Sequence, residues 1–201
     1  MSLKVAGVVL AAGLSTRMGK SKALLKVGDS VFLDSMAEAL RLGGCDPVLA
    51  VVSGDLVPIR QACSLEGVRL VSNPRPEGGQ ISSLRCAMRA CPDAGGWLVV
   101  LVDQGQVMPE SVSVVRQALD KRAVAVARYQ GQFGHPTAFG LALAESLLGP
   151  EADQGARRVV EAQARKDQVA YVDVDDPGVT RNLNRPEDYR DFLQDLLDSE
   201  K

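Results

Sequence analysis

Short runs of β-branched and apolar residues alternate with amphipathic stretches along the whole chain, and this alternation constrains the fold more than any other feature. A strand that is apolar throughout has to be covered on both faces, and parallel strands need crossovers of a dozen or more residues, usually helical. Lys4–Leu10 (KVAGVVL) is such a strand, and a polar, glycine-bearing loop follows it. After Asp29 and Ser30 a helix is predicted with Leu33, Met36, Ala37 and Leu40 on one face. Strands are predicted over Pro47–Val52 and Val68–Val71, with a short helix over Leu56–Cys63 between them. Asn73 to Gln80 consists of turn residues, and a helix is expected from about Ser82 to Ala90. Trp97–Val102 (WLVVLV) is the most apolar strand and stops at Asp103. Pro109–Leu119 then forms a helix with proline at its first position, and Ala123–Ala127 a strand. Helices over Leu141–Leu148 and Gln154–Arg165, the latter capped by Asp153, precede a strand over Val169–Val174. The last helix begins at Pro186, with Tyr189, Phe192, Leu193, Leu196 and Leu197 at helical spacing.

The predicted fold class is therefore α/β, a three-layer sandwich around a mostly parallel, Rossmann-like sheet. With 201 residues and no internal linker, a single domain over 1–201 is expected. Ligands in such sheets bind beyond the carboxyl ends of the strands. That makes the loops after the first, third and fourth strands the site candidates. The first half of the chain reads as the nucleotide side, the second as the acceptor side.

A formal net charge of −2 gives no field that would draw in nucleic acid or anionic lipid, so neither is an expected partner. No signal-like pattern opens the sequence and no apolar run nears the ~18 residues needed to span a bilayer, which makes the cytoplasm the expected location. Cys45, Cys63, Cys86 and Cys91 sit singly, without a CxxC pair or a nearby histidine, and read as reduced structural residues.

The strongest chemical signal is Leu10–Lys22, L-A-A-G-L-S-T-R-M-G-K-S-K. Leu10, Ala11, Ala12 and Gly13 let the backbone approach a ligand, and unpaired amides in such a turn bind phosphate oxygens. Arg17 offers a planar fork and Lys22 a point charge. The segment is neither GxxxxGK[ST] nor GxGxxG, and a glycine turn carrying two solvated cations is the alternative. Asp103 ends an apolar strand, so its carboxylate should reach the carboxyl edge as a hard ligand for Mg²⁺; a turn-capping aspartate is the alternative. Ser82 and Ser83, beside Gly78 and Gly79, suit an anion, a base edge or a plain cap. His135, the only histidine, sits in what reads as a loop between Gly134 and Pro136.

LAAGxSxRMGxxK after an N-terminal strand resembles the signature of the MobA-like nucleotidyltransferases, most nearly the molybdenum cofactor cytidylyltransferases. Four later segments match that family in order. Asn73–Leu84 (NPRPEGGQISSL) is similar to its NPxxxxGxxxSL loop, and Val100–Glu110 (VLVDQGQVMPE) to its strand-ending aspartate segment. Gly134–Phe139 (GHPTAF) is similar to its GHPxxF, and Asp173–Tyr189 (DVDDPGVTRNLNRPEDY) to its closing stretch. The resemblance implies a nucleotide-diphospho-sugar transferase type of fold. It implies nucleotide binding by Leu10, Ala11, Ala12, Gly13, Arg17, Lys22, Gly79, Ser82 and Ser83, and catalysis by Arg17, Lys22 and Asp103. Mg²⁺ would be held by Asp103 with Asn182 or Asn184, and the acceptor by His135 and Arg157; turn asparagines before the Pro186 helix and a solvated helix arginine are the alternatives. The donor would be CTP and the acceptor a molybdopterin-type phosphate, with pyrophosphate released; a contact with a molybdoenzyme or maturation factor is also implied. Two departures stand out. Gly105 replaces the family's proline, and Asn182 and Asn184 stand where cytidylyl members more often carry aspartate. These keep open a guanylyltransferase, another NTP transferase or a non-catalytic binding module.

Overall fold

The computed structural model of the protein describes residues 3–13, 21–104 and 106–199. Arg17, Gly19 and Gly105 lie outside them. Strand β1 (Val5–Leu10) is followed by a two-stranded hairpin, β2 (Lys26–Val27) and β3 (Ser30–Val31), and by helix α1 (Phe32–Leu42). Then come β4 (Val48–Val52), α2 (Val57–Ala62), β5 (Val68–Ser72), α3 (Gly79–Ala90), β6 (Gly96–Leu101) and α4 (Pro109–Ala118). The remainder comprises β7 (Val124–Tyr129), β8 (Gln132–Gly140), α5 (Ala144–Leu148), α6 (Ala156–Ala164), β9 (Val169–Asp173) and α7 (Pro186–Ser199).

Seven strands form one sheet in the order β5-β4-β1-β6-β8-β7-β9, parallel except for β8. Side chains alternate between its two faces as the period of a strand requires. Val5 and Val9 of β1 and Leu98 and Val100 of β6 join Leu33, Met36 and Leu40 of α1, Val112 of α4 and Phe192 of α7 in one core. Val8, Leu10, Trp97 and Val99 point the other way, onto Ile81, Leu84 and Met88 of α3, Leu147 of α5 and Val159 of α6. The three layers predicted from the alternation are therefore present, and β1, β4 and nearly all of β6 are buried from end to end.

The structure revises four local expectations. Residues 132–140 form a strand where a loop was expected. Helix α3 starts at Gly79, three residues before Ser82, so Gly79 and Gln80 are helical. Helix α6 is capped by Gly155; Asp153 instead pairs with Arg85 at 2.8 Å. Leu197 is 57% exposed and stands outside the packed face of α7. On that face Tyr189 and Phe192 meet Phe32 edge-on at 5.8 and 5.5 Å, and the Tyr189 hydroxyl donates to the Lys26 carbonyl at 2.8 Å. The terminal helix thus belongs to the core. Burial pushes the Cys45 thiol up to about 12 and Cys63 to about 11, which keeps both in the unreactive thiol form. Among the described residues, no helix is long and apolar enough to cross a membrane.

Candidate active site

Because β8 alone runs backwards, its start lies at the same edge as the ends of β1, β4, β6, β7 and β9. That edge gathers nearly every residue singled out in the sequence. Beyond β1 the chain keeps following β4: the Ala11 amide donates to the Val51 carbonyl at 2.8 Å, and the Ser53 hydroxyl to the Ala12 carbonyl at 2.9 Å. Ala11 and Ala12 are buried, and Gly13 is exposed. The Ala12 methyl lies in the core beside Leu10, so any influence on a bound base would pass through the backbone.

Strand β6 gives way to a 3-10 turn, Val102–Gln104, which carries Asp103 past the sheet edge. The Lys22 ammonium donates to Asp103 Oδ2 at 3.2 Å and to Asn184 Oδ1 at 2.9 Å. Two residues from distant parts of the chain, Asn184 lying 162 positions from Lys22, thus converge on one cation. The Lys22 and Asp103 side chains are 12% and 27% exposed, so this cluster is shielded yet reachable. Asn182 lines the adjoining cleft, its amide donating to the Thr180 carbonyl at 3.3 Å. The two asparagines are therefore not equivalent: Asn184 faces Lys22, whereas Asn182 faces the cleft.

Several groups that the sequence did not flag position this cluster. Leu183 is buried, and its amide donates to the Asp103 carbonyl at 2.7 Å. Asp176, also buried, accepts from the amides of Gly178 and Met108, both at 2.9 Å. Gln104 accepts from the Leu101 amide at 3.3 Å and donates to the Val179 carbonyl at 2.8 Å. A Cβ on Gly134 would collide with the Val179 carbonyl, and one on Gly178 with the Gln106 carbonyl. The 176–184 segment is consequently clamped between β8 and the 102–108 loop. Asp188, in the first turn of α7, accepts from the amides of Asn184 and Arg185 at 2.8 Å each. Those bonds, the one from Arg185 foremost, hold its carboxyl below the usual carboxylate range. An Asx turn in Asp176-Pro177-Gly178 and a capping acid in Pro186-Glu187-Asp188 were the available signals.

The 73–84 segment is built around Asn73, which is buried. Its amide donates to Ser82 Oγ at 2.8 Å and Ser83 Oγ at 2.9 Å, and its Oδ1 accepts from the Arg75 amide at 2.9 Å. Ser82 Oγ in turn lies 2.9 Å from the carbonyls of both Arg75 and Gly79, which share its one proton. Both hydroxyls are thus engaged in holding the loop. Gly79, with φ +73°, opens α3 on the wall of the cleft.

That cleft, about 1010 Å³, lies between the start of α3, the β8-β7-β9 part of the sheet and α6. Gln104, His135, Arg157 and Asn182 all line it. His135 stands in β8 opposite a register shift in β7, between Val126 and Arg128, where Pro136 sits without a ladder partner. Bulges of this kind redirect side chains beside functional sites. Its Nδ1 is 3.2 Å from the Val99 carbonyl and has to donate there, which leaves Nε2 with a lone pair in the neutral ring. Desolvation lowers its pKa, so the neutral ring is favoured. Arg157 lines the cleft but is paired with Glu161 at 2.9 Å.

Among the described residues, no group of three or more His, Cys, Asp or Glu side chains could hold a metal. The donor set is instead one carboxylate and one amide oxygen, both turned towards a single cation, the Lys22 ammonium. Hard oxygens in so small a number suit Mg²⁺, which usually takes one or two protein ligands and completes its shell with phosphates and water.

A mostly parallel sheet with a lysine, an aspartate and an asparagine converging at its carboxyl edge, beside a deep cleft, defines an α/β protein of the nucleotide-binding class. The chain belongs to the MobA-like NTP transferase domain family, whose model matches residues 7–169. It is 30% identical over 192 residues to a probable molybdenum cofactor guanylyltransferase of Opitutus terrae, covering 92% of each chain. Rv0371c of Mycobacterium tuberculosis H37Rv superposes with a TM-score of 0.81 at 29% identity, over 95% of this chain and 98% of that one. A structure of that protein in complex with manganese gives 0.75 at 28% identity, with the same coverage.

Proposed function

We propose that the Lys22–Asp103–Asn184 cluster and the adjoining cleft transfer a nucleotidyl group from a nucleoside triphosphate to a molybdopterin-type acceptor phosphate, releasing pyrophosphate. The observation that carries this reading is the convergence of Asp103 Oδ2 and Asn184 Oδ1 on one cation beside a 1010 Å³ cleft. Family membership supports the donor class, and the guanylyltransferase relative supports the acceptor class. The manganese complex of the Mycobacterium protein supports a divalent ion.

Asp103 and Asn184 would hold Mg²⁺, which when bound supplies Lewis-acid neutralisation of phosphate charge. Lys22, with Arg17 of the same sequence motif, binds the triphosphate and offsets the charge that develops on departing pyrophosphate. The backbone of Ala11–Gly13 and the start of α3 orient the nucleotide. On the cleft side, neutral His135 accepts a hydrogen bond and orients the acceptor. It need not remove a proton, because the attacking phosphate is already ionised near pH 7. The acceptor oxygen attacks the α-phosphorus as the bond to the β-phosphate breaks, so positioning and fixed charge carry the reaction.

CTP is the donor favoured by the L-A-A-G resemblance. GTP is the second reading, favoured by the Opitutus relative and by the asparagine pair at 182 and 184. Acceptor-dependent pyrophosphate release measured across the four nucleotides separates the two. The highest kcat/KM with CTP is expected; the highest with GTP moves the protein to the guanylyl branch. Release from none of them would refute transfer altogether.

The inequivalence of the asparagines yields its own expectation. Asn184→Asp should lower the free Mg²⁺ needed for half-maximal rate by several-fold, because a carboxylate adds charge to a site that has one. Charges ~4 Å apart at an effective dielectric of ~20 interact by about 4 kcal/mol before solvation, of which about 1 kcal/mol survives competition with the triphosphate. Asn182→Asp should shift the Mg²⁺ titration less. An unchanged curve for Asn184→Asp removes residue 184 from the metal site.

A further inference from the structure

We infer that Phe133 and Tyr171 form a stacking platform that holds the planar ring system of the acceptor, a fused heteroaromatic carrying its phosphate on a short arm. This deepens the transfer reading and rests on it for the identity of the acceptor. The platform itself rests on geometry. The two rings lie 4.8 Å apart, tilted by 35°, and both line the cleft. They are 58% and 43% exposed. Single exposed apolar residues are ordinary on any surface, but two aromatic rings in contact inside a concave site make a pre-assembled apolar wall.

Sheet register explains why they meet. Phe133 of β8 pairs with Arg128 of β7, and Tyr171 of β9 pairs with Val126 of β7. Positions 126 and 128 share a face, so both rings lean over β7 from its two sides. The opposite wall of the cleft is α6, which presents Arg157, Val160 and Ala164 at helical spacing. The aromatic pair and α6 thus line the same cleft, one as an apolar ring wall and the other as a helical one. Strand β7 is two places from β6 in the sheet, so a ring centred over β7 sits roughly 10 Å from the line of the strand that delivers Asp103. A fused ring with a short phosphate arm spans that distance. Thr180 and Asn182, which line the cleft on the way, offer hydrogen-bonding groups along such a path.

The test uses a ring without a phosphate, so that it does not depend on turnover. Pterin-6-carboxylate binding to the full chain is followed by quenching of the probe's own fluorescence, for the parent and for Phe133→Leu, Tyr171→Leu and the double variant. Leucine keeps the apolar surface and removes the π face. Loss of stacking should weaken probe binding roughly tenfold or more in the double variant. Tyr171→Phe, which keeps the ring, should bind as the parent does. Both rings are largely exposed, so the variants should melt with the parent; should the double variant lose its fold, each single variant decides alone by the same criterion. If the probe fails to bind the parent, or binds the leucine variants equally well, the platform is refuted. If the probe binds in this ring-dependent way but no nucleotidyl transfer to a pterin phosphate is found, the acceptor assignment falls and the platform stands.

Discussion

Replacing Asp103 by asparagine lowers kcat at least roughly a hundredfold while the protein keeps its fold. The size follows from removing one preorganised electrostatic group from a site proposed to work by charge and position. The fold survives because a tertiary hydrogen bond at this residue uses its backbone: the Leu183 amide donates to the Asp103 carbonyl, which the substitution leaves in place. Asparagine also retains an oxygen for the Lys22 ammonium, and only the negative charge is lost. Steady-state rates beside a thermal melt check both halves. A folded variant with near-parental kcat would remove Asp103 from the metal site and return it to a turn residue.

Lys22→Met is expected to act in opposite directions on two ligands. Its ammonium stands between the two oxygens proposed to hold a divalent ion, 3.2 Å from one and 2.9 Å from the other. With the charge gone, Mn²⁺ alone should bind several-fold more tightly, since like-charge repulsion of about 1 kcal/mol after solvation is relieved. The triphosphate should bind about 10- to 100-fold more weakly, as expected for losing a charge-assisted hydrogen bond of about 1.5–3 kcal/mol. The corresponding nucleoside, which has no phosphate, should bind nearly as before. Titration calorimetry for the nucleotides and water-proton relaxation for Mn²⁺ read the two effects separately. Equal losses for triphosphate and nucleoside would mean that Lys22 supports the loop and does not meet phosphate.

The layers of this fold were legible because its strands and helices carry clean periodicities: Val5, Val9, Leu98 and Val100 fall on one face as alternation requires. Strand β8 was not legible, since Gly134, Pro136 and Gly140 in GQFGHPTAFG carry turn composition. Proline is tolerated there because the β7 register slips at that point and no ladder bond is owed. Reading His135 as a loop residue follows from the same composition. Asp153 reads as a cap because its type favours caps, yet a contact 68 positions away in sequence, with Arg85, claims its carboxylate. The sequence names candidate site residues one by one but not their arrangement. Nothing local in Lys22, Asp103 or Asn184 says that they share a cation, because their meeting depends on the 176–184 segment being clamped by Asp176, Gln104, Gly134 and Gly178. Sequence spacing also left Asn182 and Asn184 interchangeable, whereas the buried Leu183 between them and the Asp188 carboxylate beside Asn184 make them different.

We propose that this site moves a nucleotidyl group onto a phosphorylated acceptor. This is tested most directly by incubating the protein and Mg²⁺ with molybdopterin and a nucleotide labelled at the α-phosphorus, in the same four-nucleotide panel. The label should appear in the acceptor, one equivalent per pyrophosphate released, with label and pyrophosphate both lost in Asp103→Asn. Label that ends in free nucleoside monophosphate while pyrophosphate accumulates would mean hydrolysis without transfer, and would contradict the claim.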